Sequence, residues 1–397
     1  MTYKNTALKN IYKPRSNLKV FYSFNYMFYI AVNKYSLKKI IVSVTNDLTT
    51  DQRVEKVCNS LHTDGYDVYL VGRLLKNSED INRDYTTKRF KLFFNSGVLF
   101  YAEYNIRLFF FLLFKKKDIL LSNDVDTLLP NYFISKIQHK KLVFDSHELF
   151  SEIPELVNRP KVKKIWTSIE NWIIPKLKNN YTVCNSIANY YQNKYNVQFK
   201  TILNVPNKKN IENGIFPFET YQKKIIIYQG AVNMGRGLEL MIETMQHLEN
   251  HLLIIIGNGD IYKDLKEKTS TLKLNEKVFF LGRKKPEDLK KLTPLADIGF
   301  SLEEDLGLNY RFALPNKIFD YIQAEIPIIV SNFPEMKQIV IDHKIGEIIE
   351  HRDPKFLAHQ IKKLLEKDFS NELKEAKKIL IWKHQEKKLL AIFKNAK

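Results

Sequence analysis

Glycines and a single arginine crowd the stretch Gly230-Ala231-Val232-Asn233-Met234-Gly235-Arg236-Gly237, which runs from an apolar stretch into a helical pattern beginning at Leu238. Glycines let backbone approach a ligand closely, and the N–H groups at a helix start suit phosphate oxygens. Arg236 adds a charged fork matched to such oxygens, although a plain glycine turn with a surface arginine has the same signature. The Gly-Lys-Ser/Thr ending of a Walker loop is absent. A second cation, Lys317, follows Pro315 and Asn316 in what reads as the first turn of a helix, where positive charge opposes the helix dipole. An anion bound beside it would explain that placement. Asp320, one turn on, has the reach to accept hydrogen bonds from sugar hydroxyls, and the alternative is a capped helix with solvated charges.

Other candidates also follow apolar runs. Gly257-Asn258-Gly259 makes either an ordinary turn or room for a flat base against backbone. Ser301-Leu302-Glu303-Glu304-Asp305-Leu306-Gly307 places carboxylates after another run. His147, in Phe144-Asp145-Ser146-His147-Glu148, is positioned to hydrogen-bond a sugar hydroxyl or shuttle a proton, or to be a structural histidine held by Asp145. Asn46 and Asp47 precede Asp51-Gln52-Arg53; Thr50 or Asp51 suits a helix cap, and Arg53 suits an acceptor phosphate. No His/Cys/Asp group has metal-ligand spacing, and Asp124 and Asp126 evoke a metal-bound diphosphate only weakly because Arg236 and Lys317 already supply positive charge. No metal and no cofactor is expected.

The elements that must position these residues alternate. Lys38–Val44 is a short β-branched run, Asp51–Leu61 has helical spacing, and Tyr66–Val71 is a second run; this is the strand–helix–strand rhythm of a parallel sheet. The rhythm returns at 118–121, 141–144 and 180–183, breaks into Asn, Pro, Gly and Lys between about 204 and 224, and restarts at Ile225. Two successive α/β units follow: a basic N-terminal extension over 1–37, domains over 38–205 and 206–371, and a terminal helix over 372–397. Ligands of such sheets sit at the carboxyl ends of strands, here facing the cleft between domains.

Composition bounds the partners. The 397 residues carry 63 Lys+Arg against 44 Asp+Glu, a formal charge of +19, so an anionic partner is expected: nucleic acid, anionic lipid or a phosphorylated substrate. Two cysteines, Cys58 and Cys184, make neither a disulfide scaffold nor a Cys-rich zinc site. No run of about 18–20 uninterrupted apolar residues appears. The run Leu108–Phe114, followed by Lys115-Lys116-Lys117, fits a core helix or an aromatic wedge on a membrane surface. Residues 1–46 hold eight Lys/Arg and no Asp/Glu, and Val20–Val32 lacks the form of a cleavable signal peptide.

Together these motifs resemble a family 4 glycosyltransferase of the bacterial polysaccharide type, over residues 38–395. The resemblance rests on Thr45-Asn46-Asp47 with Asp51-Gln52-Arg53-Val54, the Asp145–Glu148 block, Gly235-Arg236-Gly237, Gly257-x-Gly259, Val278–Gly282 and Pro315-Asn316-Lys317-x-Phe319-Asp320-Tyr321. It implies a GT-B fold, an α/β architecture of two Rossmann-like parallel-sheet domains facing a cleft, with the segment from Trp382 crossing back. It also implies retaining, metal-independent transfer of a sugar from a nucleotide-sugar donor to a saccharide or lipid-linked saccharide acceptor. On that pattern His147, Arg236, Lys317 and Glu304 are catalytic, with Glu303 a substitute for Glu304. Gly235, Gly237, Gly257, Gly259, Asn316 and Asp320 bind the donor, and Asn46, Asp51 and Arg53 lie on the acceptor side. Fifteen residues lie between Glu304 and Asp320, a longer spacing than the family pattern. The implied setting is surface-polysaccharide synthesis in the cytoplasm, peripheral on the inner face of the plasma membrane, with an anionic membrane surface as a further partner and no nucleic acid. A nucleotide-sugar epimerase of the same architecture is the rival enzyme, and a non-catalytic polyanion-binding protein the rival outside enzymes.

Overall fold

The structure is a computed structural model describing residues 37–49, 51–153, 156, 159–208, 210–212 and 214–396. The basic arm and Thr50 lie outside the described residues.

The N-terminal half runs β1 (Lys39–Asp47), α1 (Gln52–Thr63), β2 (Asp67–Leu74), β3 (Thr86–Lys91), α2 (Gly97–Phe114), β4 (Ile119–Asn123), α3 (Leu128–Ile137), β5 (Lys141–Ser146), α4 (Pro160–Ile173), β6 (Asn179–Thr182), α5 (Asn185–Tyr195) and β7 (Lys200–Thr201). These strands make a parallel seven-stranded sheet in the order β3-β2-β1-β4-β5-β6-β7. The second half runs β8 (Lys224–Gln229), α6 (Leu238–Thr244), β9 (His251–Ile256), α7 (Tyr262–Thr271), β10 (Val278–Gly282), α8 (Pro286–Leu292), β11 (Ile298–Ser301), α9 (Leu308–Arg311), α10 (Asn316–Gln323), β12 (Ile328–Ser331), α11 (Pro334–His343), β13 (Gly346–Ile349), α12 (Pro354–Leu365), α13 (Ser370–Ile379) and α14 (Trp382–Lys394). Its six parallel strands are ordered β10-β9-β8-β11-β12-β13. The central strands are apolar runs because both faces are covered; Leu252–Ile256 of β9 are all buried. Three strands beyond the apolar runs appear, β3, β7 and β13. Each lies at a sheet edge, where one neighbour suffices and a polar sequence such as Thr-Thr-Lys-Arg-Phe-Lys is tolerated.

The Phe-rich run lies in helix α2. Phe100, Tyr104, Leu108 and Leu112, four residues apart, are buried against the sheet, and Tyr104 Oη donates to the Val44 carbonyl at 2.5 Å. Ile106, Phe110 and Phe114 remain exposed. By length and composition α2 is apolar enough to cross a membrane, but its buried stripe is part of the domain core.

The segment from 372 divides. In α13, Leu373 and Ala376 join the second domain's core. The chain then returns to the first domain: Trp382, Leu389, Ile392 and Phe393 of α14 are buried with Val54, Val57 and Leu61 of α1. Trp382 Nε1 donates to Ser60 Oγ at 2.8 Å, and Lys394 pairs with Asp64 at 2.9 Å.

Candidate active site

The carboxyl ends of both sheets face a cavity of about 660 Å³. From the first domain Asn46, Asp51, Arg53 and His147 line it; from the second, Arg236, Asn316, Lys317 and Asp320 do. Of the glycines in these loops Gly230 lines its wall, and several of the others sit in tight packing between loops. Gly257 has φ +151°, and a Cβ on it would strike the Gly230 carbonyl oxygen, while one on Gly237 (φ +73°) would strike the Leu302 carbonyl oxygen. The glycines thus let the loops after β8, β9 and β11 nest together and set where Arg236 emerges.

Arg236 and Lys317 converge on one buried carboxylate. Lys317 Nζ donates to Glu303 Oε1 at 2.7 Å, and Arg236 Nη1 lies 3.6 Å from the same oxygen. Ser301 Oγ donates to Glu303 Oε2 at 2.7 Å. Burial raises the Glu303 carboxyl, but Lys317, Ser301 and Arg236 outweigh it and hold it below the ordinary value. Lys317 Nζ also sits over the Tyr228 ring at 4.2 Å, and Arg236 over Tyr310 at 5.0 Å. The side chain that organises the cations is therefore Glu303, and the expectation placed on Glu304 is corrected. Glu304 turns away to Arg352 Nη2 at 3.2 Å and does not line the cavity. Two cations share one carboxylate, and Lys317 lies in the first turn of α10, whose start at Pro315 has no side-chain cap. The free N–H groups of that first turn add their partial positive charge beside the two cations. Asn316 Oδ1 accepts from Asn204 Nδ2 at 3.0 Å across the domains, and Asp320 Oδ2 accepts from Gln229 Nε2 at 3.0 Å.

On the opposite wall His147 is clamped. Its Nε2 is 3.0 Å from Asp145 Oδ2 and its Nδ1 3.3 Å from Asp124 Oδ2, while its backbone N–H donates to Asp124 Oδ1 at 2.7 Å. Burial disfavours the imidazolium, but the carboxylates of Asp124 and Asp145 prevail and push His147 up to about 10. Burial pushes Asp124 up to about 8. The two carboxylates thus fix the orientation of the His147 ring on this wall. Arg53 is also corrected. It is buried, its Nε and Nη2 donate to Asp145 at 2.9 Å each, and its Nη1 donates to the Ile202 carbonyl at 3.0 Å. With these donors committed, Arg53 holds Asp145, and through it His147, instead of binding an acceptor phosphate. Asp51 caps α1 by accepting from the Val54 N–H at 3.1 Å and also accepts from Asn46 Nδ2 at 3.1 Å, so the pair faces the cleft as a unit.

The residues between Glu304 and Asp320 contain α9, which bridges the domains. Asn309 Nδ2 donates to Glu148 Oε2 at 3.0 Å, and its Oδ1 accepts from the Leu149 N–H at 3.0 Å. Leu308, Phe312 and Leu314 pack against the first domain's core. Sequence reasoning missed Asn309 as a cleft residue; the lengthened spacing was the only signal. Among the described residues no group of three or more His, Cys, Asp or Glu is placed to hold a metal ion.

Paired parallel sheets around a cleft, with the last helix returning to the first domain, define the GT-B architecture. Residues 212–379 match the family model described as Glycosyl transferases group 1. An uncharacterized glycosyltransferase of Methanocaldococcus jannaschii is 24% identical over 253 residues, 62% of this chain and 56% of that protein. A chitobiosyldiphosphodolichol beta-mannosyltransferase of Candida albicans is 24% identical over 236 residues, 53% and 50% respectively. The chain spans about half the length of these curated relatives. The Anabaena protein HepE, solved with UDP-glucose, superposes with a TM-score of 0.68 at 13% identity, covering 90% of this chain and 99% of that one. The chain has the GT-B fold.

Proposed function

We propose that the chain is a glycosyltransferase of family 4 that moves a sugar from a nucleotide-sugar donor to a saccharide or lipid-linked saccharide acceptor, with retention at the anomeric carbon and without a metal. The observation that carries this reading is the convergence of Arg236 and Lys317 on Glu303, 3.6 and 2.7 Å from one oxygen, beside the interdomain cavity. A departing nucleoside diphosphate develops negative charge, and a fixed cationic pair with the α10 N–H groups stabilises it without reorganisation. Glu303 keeps the cations in place, and the first domain's wall excludes water that would otherwise hydrolyse the donor. The match to group 1 glycosyl transferases over residues 212–379 supports the donor side, and the relative named for a dolichol-linked saccharide supports the acceptor class. In this reading the protein is cytoplasmic and peripheral on the inner face of the plasma membrane. The exposed Ile106, Phe110 and Phe114 of α2, beside Lys115 and Lys116, are suited to an anionic lipid surface.

A thermal-shift screen against UDP, GDP and ADP sugars tests the donor site, because a ligand that binds only the folded state raises the melting temperature by mass action. One nucleotide class is expected to raise it, with the shift lost in Arg236→Ala and transfer persisting in EDTA. No shift with any nucleotide sugar would overturn the reading.

A further inference from the structure

A second cavity, of about 630 Å³, lies inside the first domain between α2 and α4. It shares Asn46 and Glu148 with the interdomain cleft, so the two are neighbours through a common wall. The cavity has two ends of different chemistry. Near the cleft it meets Thr45, Asn46, Arg73, Asn105, Asp126 and Glu148. Arg73 Nε and Asn105 Oδ1 are buried there with no hydrogen-bond partner among the described residues. Away from the cleft the walls are mostly apolar, built from Phe100, Ile153, Leu156, Trp166 and Ile169, with Arg159 beside Leu156 and Arg73 over the Phe100 ring at 4.6 Å. At the outer rim Val98 and Ile165 are each more than half exposed, and Leu99 beside Val98 is exposed too.

From this polarity gradient we infer that the cavity receives the hydrocarbon chain of an amphiphilic acceptor, whose hydroxyl-bearing head reaches the cleft past Asn46 and Glu148. The inference rests on the glycosyltransferase reading and deepens it by choosing the lipid-linked class of acceptor. Two features favour a chain over a free saccharide. The outer walls hold aliphatic and aromatic side chains where a saccharide would need hydrogen-bond partners. The rim continues onto the exposed apolar face of α2, so a chain entering from lipid meets mostly apolar surface along its path.

Isothermal titration of the full chain with methyl, hexyl and octyl β-glucosides, each below its critical micelle concentration, tests this. Burial of each methylene is expected to tighten binding about fourfold, so octyl glucoside binds at least about tenfold tighter than hexyl. Leu129→Trp and Val162→Trp fill the cavity from α3 and α4 respectively, and each is expected to reduce octyl glucoside to the methyl glucoside level while leaving the nucleotide-induced thermal shift in place. Affinity independent of chain length overturns the inference. An unchanged chain-length slope in both filled variants also overturns it, because the chain would then bind outside the cavity. A wild-type protein with the expected slope but no nucleotide shift sinks the donor reading and leaves the lipid-chain cavity standing.

Discussion

Lys317 and Arg236 have the same proposed task but different surroundings, and that difference is measurable. Lys317 is nearly buried beside a fully buried Glu303, whereas Arg236 is partly solvated. Lys317→Ala leaves the buried Glu303 carboxylate to Ser301 and the more distant Arg236 and is expected to cost about 3 kcal/mol. Arg236→Ala should leave stability nearly unchanged. Both should lower transfer by about 10²-fold or more, as for loss of a charge stabiliser. Urea unfolding beside initial rates separates the two effects, and wild-type turnover by both variants would remove them from the site. The opposite wall has a pH signature. His147 has its folded-state pKa raised from 6.5 to about 10, so its contribution is fully present below 6.5 and is lost as pH rises toward 10. The urea midpoint should therefore fall between pH 6.5 and 10, and His147→Gln should flatten that fall. An identical slope in the variant would contradict the assignment.

At the scale of elements, α9 accounts for the lengthened spacing between Glu304 and Asp320. The added residues form a helix of one turn whose apolar side chains pack on the first domain and whose Asn309 makes two hydrogen bonds across the cleft. Asn309→Ala is expected to leave nucleotide affinity within about twofold and to lower transfer, because the domains lose those bonds to Glu148 and Leu149. Titration of nucleotide and acceptor kinetics on the same preparation would check this; a matching loss of nucleotide affinity would instead place Asn309 at the donor. Next to α10, Glu325 has φ +59°, a left-handed conformation that favours glycine, and Lys377 holds its carboxylate at 2.7 Å. Glu325 is not among the residues that line the cleft.

Across the whole molecule, α14 ties the second domain's chain to the first domain's core. Trp382 is buried there, bonded to Ser60 and stacked under Lys56 at 5.1 Å. Trp382→Ala should cost about 3–5 kcal/mol, chiefly in the first domain. Unfolding followed by domain-specific probes should then show that domain melting earlier, and a single undisplaced transition would argue against the tie. Much of this architecture was legible in the residues, because strands covered on both faces must be apolar runs, and such runs at 225–228, 252–256 and 298–301 announce a parallel sheet. Cleft residues were legible for a related reason: a residue just after a strand must emerge at the sheet's carboxyl edge, which places Asn46, His147 and Arg236. Linear order does not state which way a side chain turns or what meets it from elsewhere. The choice of Glu303 over Glu304, the burial of Arg53 against Asp145 and the bridge made by Asn309 depend on contacts between segments 14 to 161 residues apart. The sequence by itself determined the strand–helix rhythm and the cationic residues of the cleft, because those follow from local pattern and residue type. Only the tertiary structure decided which carboxylate binds the cations, which arginine is buried and where an apolar chain can enter, because each depends on packing between distant parts of the chain.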